Sequence, residues 1–147
     1  MADVIKLNGD CYCGDITIMG KVSPDKIMAC YCTDCQKFSG SPFRAVAVIA
    51  VGDFKISSTV NEFLKIAESV NERVQDFCGK CGSHLYSTDP AKTLSMIGTG
   101  CLDQHHELVP AKHIFGKSAV ERVGEIADSS WVAEGPASGA MTPLKKA

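Results

Sequence analysis

Arg44-Ala-Val-Ala-Val-Ile-Ala-Val51 opens on one charged residue and is apolar from there to its end. A run this short, rich in β-branched valine and isoleucine and bounded by Gly52-Asp53, reads as a central β-strand rather than a helix. Working outward, residues 54–57, 63–67, 73–77 and 93–97 read as further strands. Thr59-Val60-Asn61, Val70-Asn71-Glu72 and Asp89-Pro90 supply turn signals between them. Upstream, Ile16 and Ile18 alternate with Asp15 and Thr17, the period of a half-buried strand. Short strands at this spacing predict an all-β protein of sandwich or barrel-like build, with at most one short helix. That helix is placed at 118–127, where Val120, Val123 and Ile126 share a face and Gly124 weakens the pattern. Residues 1–133 read as a single domain, and 134–147, rich in Gly, Pro, Ser and Lys, as a loose C-terminal tail.

The bulk numbers bound the function. A chain of 147 residues makes one ordinary domain that buries roughly two-thirds of its unfolded surface. Hydrophobic residues at 45% and charged residues at 22% are the composition of a soluble globular protein. Fifteen basic against seventeen acidic residues give a net charge of −2, with no electrostatic footprint for nucleic acid or an anionic membrane. No apolar run approaches the roughly 20 residues of a membrane span. Met1-Ala-Asp-Val-Ile-Lys-Leu-Asn8 lacks the basic-then-apolar pattern of an export signal, so a cytoplasmic location with reduced thiols is expected.

Seven of the eight cysteines fall into Cys11-x-Cys13, Cys30-x-Cys32-x-x-Cys35 and Cys78-x-x-Cys81. Such tight spacing in a chain large enough for a real core favours metal ligation over a disulfide framework. Cys78-Gly-Lys-Cys81-Gly82 continues into Ser-His-Leu-Tyr-Ser, which does not open a helix as a redox C-x-x-C would. On an extended strand Cys11 and Cys13 share a face, and together with the knuckle Cys78/Cys81 they complete a four-thiolate zinc shell. Cys30 and Cys32 are expected on one strand face, with Cys35 returning after a turn. The fourth position there falls to Cys101, His84, His105, His106, His113, water or an incoming substrate. A second structural site, or a pairing of Cys11/Cys13 with Cys30/Cys32, fits the spacing too. Three thiolates make zinc a weak Lewis acid, so an open position suits a thiol better than water activation.

Three blocks carry a resemblance: Gly9-Asp-Cys-Tyr-Cys-Gly14, Cys30-Tyr-Cys-Thr-Asp-Cys-Gln-Lys-Phe-Ser-Gly40 and Phe77-Cys-Gly-Lys-Cys-Gly-Ser83. Weaker echoes are Gly100-Cys-Leu-Asp103 and Pro110-Ala-Lys-His-Ile-Phe115. On these residues the sequence resembles the glutathione-dependent formaldehyde-activating enzyme family, which includes centromere protein V. The resemblance implies a β-tent of stacked antiparallel sheets and two zinc ions per chain. One would be structural, on Cys11, Cys13, Cys78 and Cys81; the other catalytic, on Cys30, Cys32 and Cys35. It implies a carbon–sulfur lyase joining the cosubstrate glutathione to formaldehyde as S-(hydroxymethyl)glutathione. The partners implied are a small thiol and a small aldehyde, with no nucleic acid and no membrane. A non-catalytic zinc module that binds a protein or thiol ligand is the alternative. The sequence departs from the family after His113-Ile-Phe115, where a tryptophan often follows quickly; here Trp131 comes only after a charged stretch.

Lys37 and Arg44 flank the triplet and are candidates to hold a carboxylate of a peptide-like thiol, though solvated surface cations are the more ordinary reading of both. Asp34 reads as a turn residue or as a group orienting a lysine or the bound thiol. Ser39-Gly-Ser41 reads as a tight structural turn, His105-His106 as a polar loop, Cys101 as a small buried apolar residue and Trp131 as packing.

Overall fold

The computed structural model describes residues 3–143. Twelve strands follow one another: β1 (Ile5–Asp10), β2 (Thr17–Val22), β3 (Ile27–Cys30), β4 (Arg44–Ala50), β5 (Phe54–Ile56), β6 (Asn61–Ile66), β7 (Glu72–Phe77), β8 (His84–Thr88), β9 (Leu94–Gly98), β10 (Lys112–Ile114), β11 (Trp131–Val132) and β12 (Ala140–Met141). One α-helix, α1 (Thr33–Ser39), interrupts them. A three-stranded sheet in the order β1-β2-β5 stacks on a seven-stranded sheet in the order β10-β3-β4-β9-β8-β7-β6. The core lies between them. Leu7, Ile18 and Val22 from the small sheet meet Ile27, Ala47, Ile49 and Ile97 from the large one, all buried.

The apolar run that decides the fold is β4, held between β3 and β9 inside the large sheet. Its alternate residues serve opposite faces. Ala47 and Ile49 enter the inter-sheet core, whereas Arg44 and Val46, also buried, belong to the other face, on which α1 lies. Both faces are covered, which is why the sequence shows no polar alternation.

Three expectations need correction. The sheets are antiparallel except where β10 runs parallel to β3, with His113 opposite Ala29. Parallel pairing needs a long crossover, and residues 31–111 supply it. Helical structure exceeds the single short helix expected: α1, which the strand reading missed, is joined by short 3-10 segments, the longest over Glu121–Asp128 in place of the helix expected at 118–127. Gly124 sits in its middle, where an α-helix gains least. Residues 131–141 form a hairpin with Trp131 opposite Met141, and Trp131 Nε1 donates to Ala127 O at 2.9 Å. The tail expected at 134–147 therefore begins inside this hairpin, and 144–147 lie outside the described residues. Among the described residues no helix is long and apolar enough to cross a membrane.

Candidate metal centres and their cavity

Cys11 and Cys13 do not share a strand face. They sit in the turn between β1 and β2, where Gly14 (φ +81°) donates to Cys11 O at 2.9 Å and Cys11 N–H pairs with Ile16 O. The left-handed glycine lets the chain reverse within this segment, so both thiols point into one loop. The Cys78–Cys81 turn repeats the device: Gly82 (φ +75°) donates to Cys78 O at 2.8 Å. The four Sγ atoms lie within 4.8 Å of one another, with Cys11–Cys13 at 3.5 Å and Cys13–Cys78 at 3.9 Å. Tetrahedral zinc with Zn–S near 2.3 Å sets its sulfurs about 3.8 Å apart, so the residues fit that ion. Ile16 N–H donates to Cys11 Sγ at 3.3 Å. Ser83 Oγ accepts from Tyr12 N–H at 2.8 Å and lies 3.2 Å from Cys81 Sγ, holding that thiol down at about 6. These are the outer contacts that orient and charge metal thiolates.

The triplet is built at a strand-to-helix junction, which corrects the strand-face reading. Cys30 ends β3, Cys32 is the N-cap of α1, and Cys35 lies in the first helical turn. Cys32 Sγ accepts the Cys35 N–H at 3.3 Å, a sulfur taking the place of the usual capping oxygen. Gly40 (φ +67°) closes the helix by donating to Gln36 O at 2.9 Å. All three thiols are buried and within 4.8 Å of one another. Contacts with Cys30 and Cys35 pull Cys32 well below the ordinary thiol range, whereas Cys32 pushes Cys30 up, and Cys30 and Cys32 together push Cys35 up. Three sulfurs this close ionise together only around a cation, so this donor set also fits a thiophilic metal.

Among the described residues no fourth His, Cys, Asp or Glu atom joins the triplet. Cys101 Sγ donates to Gly98 O at 3.0 Å and burial raises its pKa to about 11. His113 Nδ1 is 2.8 Å from Tyr31 Oη, and His105 Nδ1 is 2.8 Å from Leu102 O with its ring against His106. His84 contacts Arg44 and packs edge-on to Phe38; burial, then the Arg44 charge, lowers it to about 3 and keeps it neutral.

A cavity of about 290 Å³ opens on the triplet. Its sheet-side wall carries Arg44, Arg73, Gln75 and Ser87. Strand register brings them there: Arg44 stands opposite Cys30, and Gln75 opposite Ser87. Arg44 Nη1 donates to Gln75 Oε1 at 3.2 Å, and Arg44 Nη2 and Arg73 Nη2 each reach Ser87 Oγ at 3.3 Å. The loop between β6 and β7 forms the opposite wall and is tied to α1. Asp34 accepts from Lys65 Nζ at 2.8 Å and Glu68 N–H at 2.6 Å, and Glu68 Oε2 accepts from Thr33 N–H at 3.0 Å. Ser118 Oγ donates to the other Glu68 oxygen. Asp34 thus orients a lysine and a loop. Lys37 is exposed on α1 and does not border this cavity, whereas Arg44 does. A wider cavity of about 820 Å³ shares Arg44 and reaches Cys13, His84 and Cys101. Arg73, Gln75 and Ser87 were not singled out from the sequence. The available signal was two polar residues two apart, Arg73 and Gln75, inside a run read as a strand.

A family model described as glutathione-dependent formaldehyde-activating enzyme matches residues 6–118, a span that holds both cysteine clusters and every residue of the cavity wall named above. No curated protein matches the chain. Among solved structures, that of a Rhodobacter sphaeroides protein is similar, with 16% identity, a TM-score of 0.55, and coverage of 72% of this chain and 98% of that one. At that identity the likeness is one of fold.

Proposed function

Because the chain belongs to the glutathione-dependent formaldehyde-activating enzyme family, we propose that it joins a thiol, glutathione first, to formaldehyde or a similar small aldehyde. In this carbon–sulfur lyase chemistry the thiol sulfur bonds to the carbonyl carbon, the C=O π bond breaks, and the oxygen takes up a proton. The observation that carries the proposal is the unequal ligand supply: four thiols at one cluster, and three at a second that opens on a cavity. Cys11, Cys13, Cys78 and Cys81 hold a structural zinc, and Cys30, Cys32 and Cys35 hold the second ion. Zinc at the triplet supplies a position where a thiol is kept deprotonated beside the cavity.

The remaining work falls to side chains. Ser87 and the guanidinium groups of Arg44 and Arg73 are donors able to meet the carbonyl oxygen as negative charge develops on it. Ile114 and Phe115 pack against the three cysteines and keep that side apolar. Of the two cations singled out from the sequence, Arg44 lines the cavity and the exposed Lys37 does not. The reaction is assigned to the cytoplasm, where the thiols stay reduced. Metal quantification together with NMR of formaldehyde consumption tests the reading. Two zinc ions per chain and hydroxymethyl adduct formation faster than the uncatalysed reaction are expected. A rate equal to the spontaneous one refutes the activity, and one zinc per chain with Cys35 unligated refutes the site.

A further inference from the structure

Two guanidinium groups share one hydroxyl at the triplet cavity, and neither has a carboxylate within ion-pair distance among the described residues. Arg44 is 6% exposed, and its Nε has no hydrogen-bond partner. Arg73 is half-buried, and its pKa is lowered first by burial; the charge of Asp89, which makes no ion pair with it, works against this, and the Arg44 charge adds to the lowering. Burying two like charges side by side is costly unless an anion offsets them. The triplet offsets only part. Three thiolates around a divalent cation leave one negative charge, and two guanidinium groups exceed it by one. Water or a neutral donor in the fourth position leaves that surplus standing; one further anion cancels it.

We propose that Arg44 and Arg73 form a cationic seat which makes the fourth position of the Cys30/Cys32/Cys35 metal select an anionic ligand, a thiolate, over water or a neutral nitrogen donor. The inference rests on the open position argued above and adds the residues that set its selectivity. Both arginines act through the charge they place beside the ligand. Ser87 fixes their spacing by accepting from each, and Gln75 holds the Arg44 fork against the sheet. Arg73 approaches from β7, far along the chain from the triplet, so the seat exists only in the folded sheet.

The test uses the full chain loaded with cobalt(II), whose absorption reports a new ligand directly. The probes are 2-mercaptoethanol and imidazole, with azide as a second, sulfur-free anion for the wild-type chain. Arg73→Gln and Arg44→Gln are expected to weaken 2-mercaptoethanol binding by roughly tenfold or more while imidazole binding stays unchanged. Arg73→Lys, which keeps the charge, restores thiol binding. Imidazole binding in each variant verifies that the site is still formed. In the wild-type chain, which needs no substitution to fold, azide is expected to bind at least roughly tenfold more tightly than imidazole. Equal losses for both probes, no loss for either, or a wild-type preference for imidazole overturns the proposal. Thiol binding to the wild-type chain that is indifferent to both arginines removes only this inference. A wild-type chain that binds no thiol removes the functional reading with it.

Discussion

Asp76 gives the sharpest quantitative test of the fold. It lies on β7 opposite Glu62 of the edge strand β6, is 0% exposed, and neither carboxylate oxygen has a hydrogen-bond partner among the described residues. Burial, then the Glu62 charge, raises its pKa from 3.8 to about 7; Lys92, paired with Glu62 at 2.6 Å, offsets this in part. In the unfolded chain the carboxyl loses its proton near pH 4, whereas in the folded chain it keeps the proton until about pH 7. Over that window the folded state binds more protons, so stability falls as pH rises, and between pH 5 and 7 the loss is about 2 kcal/mol. Asp76→Asn removes the titration and with it this slope. The assay is urea unfolding of the zinc-loaded wild-type and Asp76→Asn chains at pH 5, 6 and 7, read as the difference between the two. Proton competition for the metal thiols is common to both and cancels. The difference should move in favour of asparagine by about 2 kcal/mol from pH 5 to pH 7. A flat difference, or one that moves toward aspartate, refutes a buried and protonated Asp76.

The other perturbations separate the two clusters and the joint between the sheets. Cys78→Ser should cost one metal ion per chain and the cooperative unfolding transition, because Cys78 is both a proposed ligand and part of the buried core. Cys35→Ser should keep a cooperative transition and lose thiol binding; circular dichroism with metal analysis distinguishes the two, and matching losses of fold would contradict the division of roles. Gly9→Ala drives a Cβ into Cys101 O and to 2.9 Å from Leu102 Cα, both backbone atoms, where Gly9 bridges to Leu102. It should destabilise the zinc-loaded chain by about 3 kcal/mol, and an unchanged thermal midpoint would show that this joint yields freely.

How far the sequence could be read follows from the range of each interaction. β4 was legible because a run of apolar residues covered on both faces leaves a pattern within eight positions. The three cysteine blocks were legible because metal ligands come at short spacings; spacing alone left the partner of Cys11/Cys13 open, and the folded chain groups that pair with Cys78/Cys81, as the resemblance implied. The path of the backbone through those spacings was not. Cys11-x-Cys13 fits a strand face as well as a turn, and only the positive φ of Gly14 decides for the turn. Helix α1 has seven residues, too few to show a helical period, and its N-cap is a cysteine rather than serine or aspartate. Gly40 was the one boundary signal available. The cavity wall was hidden for a different reason. Arg73 and Ser87 reach the triplet through strand register across the large sheet, and register between distant strands leaves no local trace.

The difference between the clusters in chain separation explains why one fold keeps both. The four-thiol cluster joins the β1–β2 turn of the small sheet to the β7–β8 turn of the large one, so a metal held there would close a long loop and help to hold the sheets together. The triplet spans only residues 30–35, and its local backbone has other supports. Gln36 Nε2 donates to Tyr31 O at 2.7 Å and Ser118 O at 2.9 Å, Ser39 Oγ donates to Cys35 O at 2.6 Å, and Asp34 and Glu68 tie α1 to the neighbouring loop. A metal that closes no long loop contributes little to the fold's cohesion, and a junction braced by its own hydrogen bonds keeps its shape when a ligand comes or goes. Ligand exchange at the triplet is therefore compatible with a stable fold, whereas the same exchange at Cys78 would loosen a joint between the two sheets.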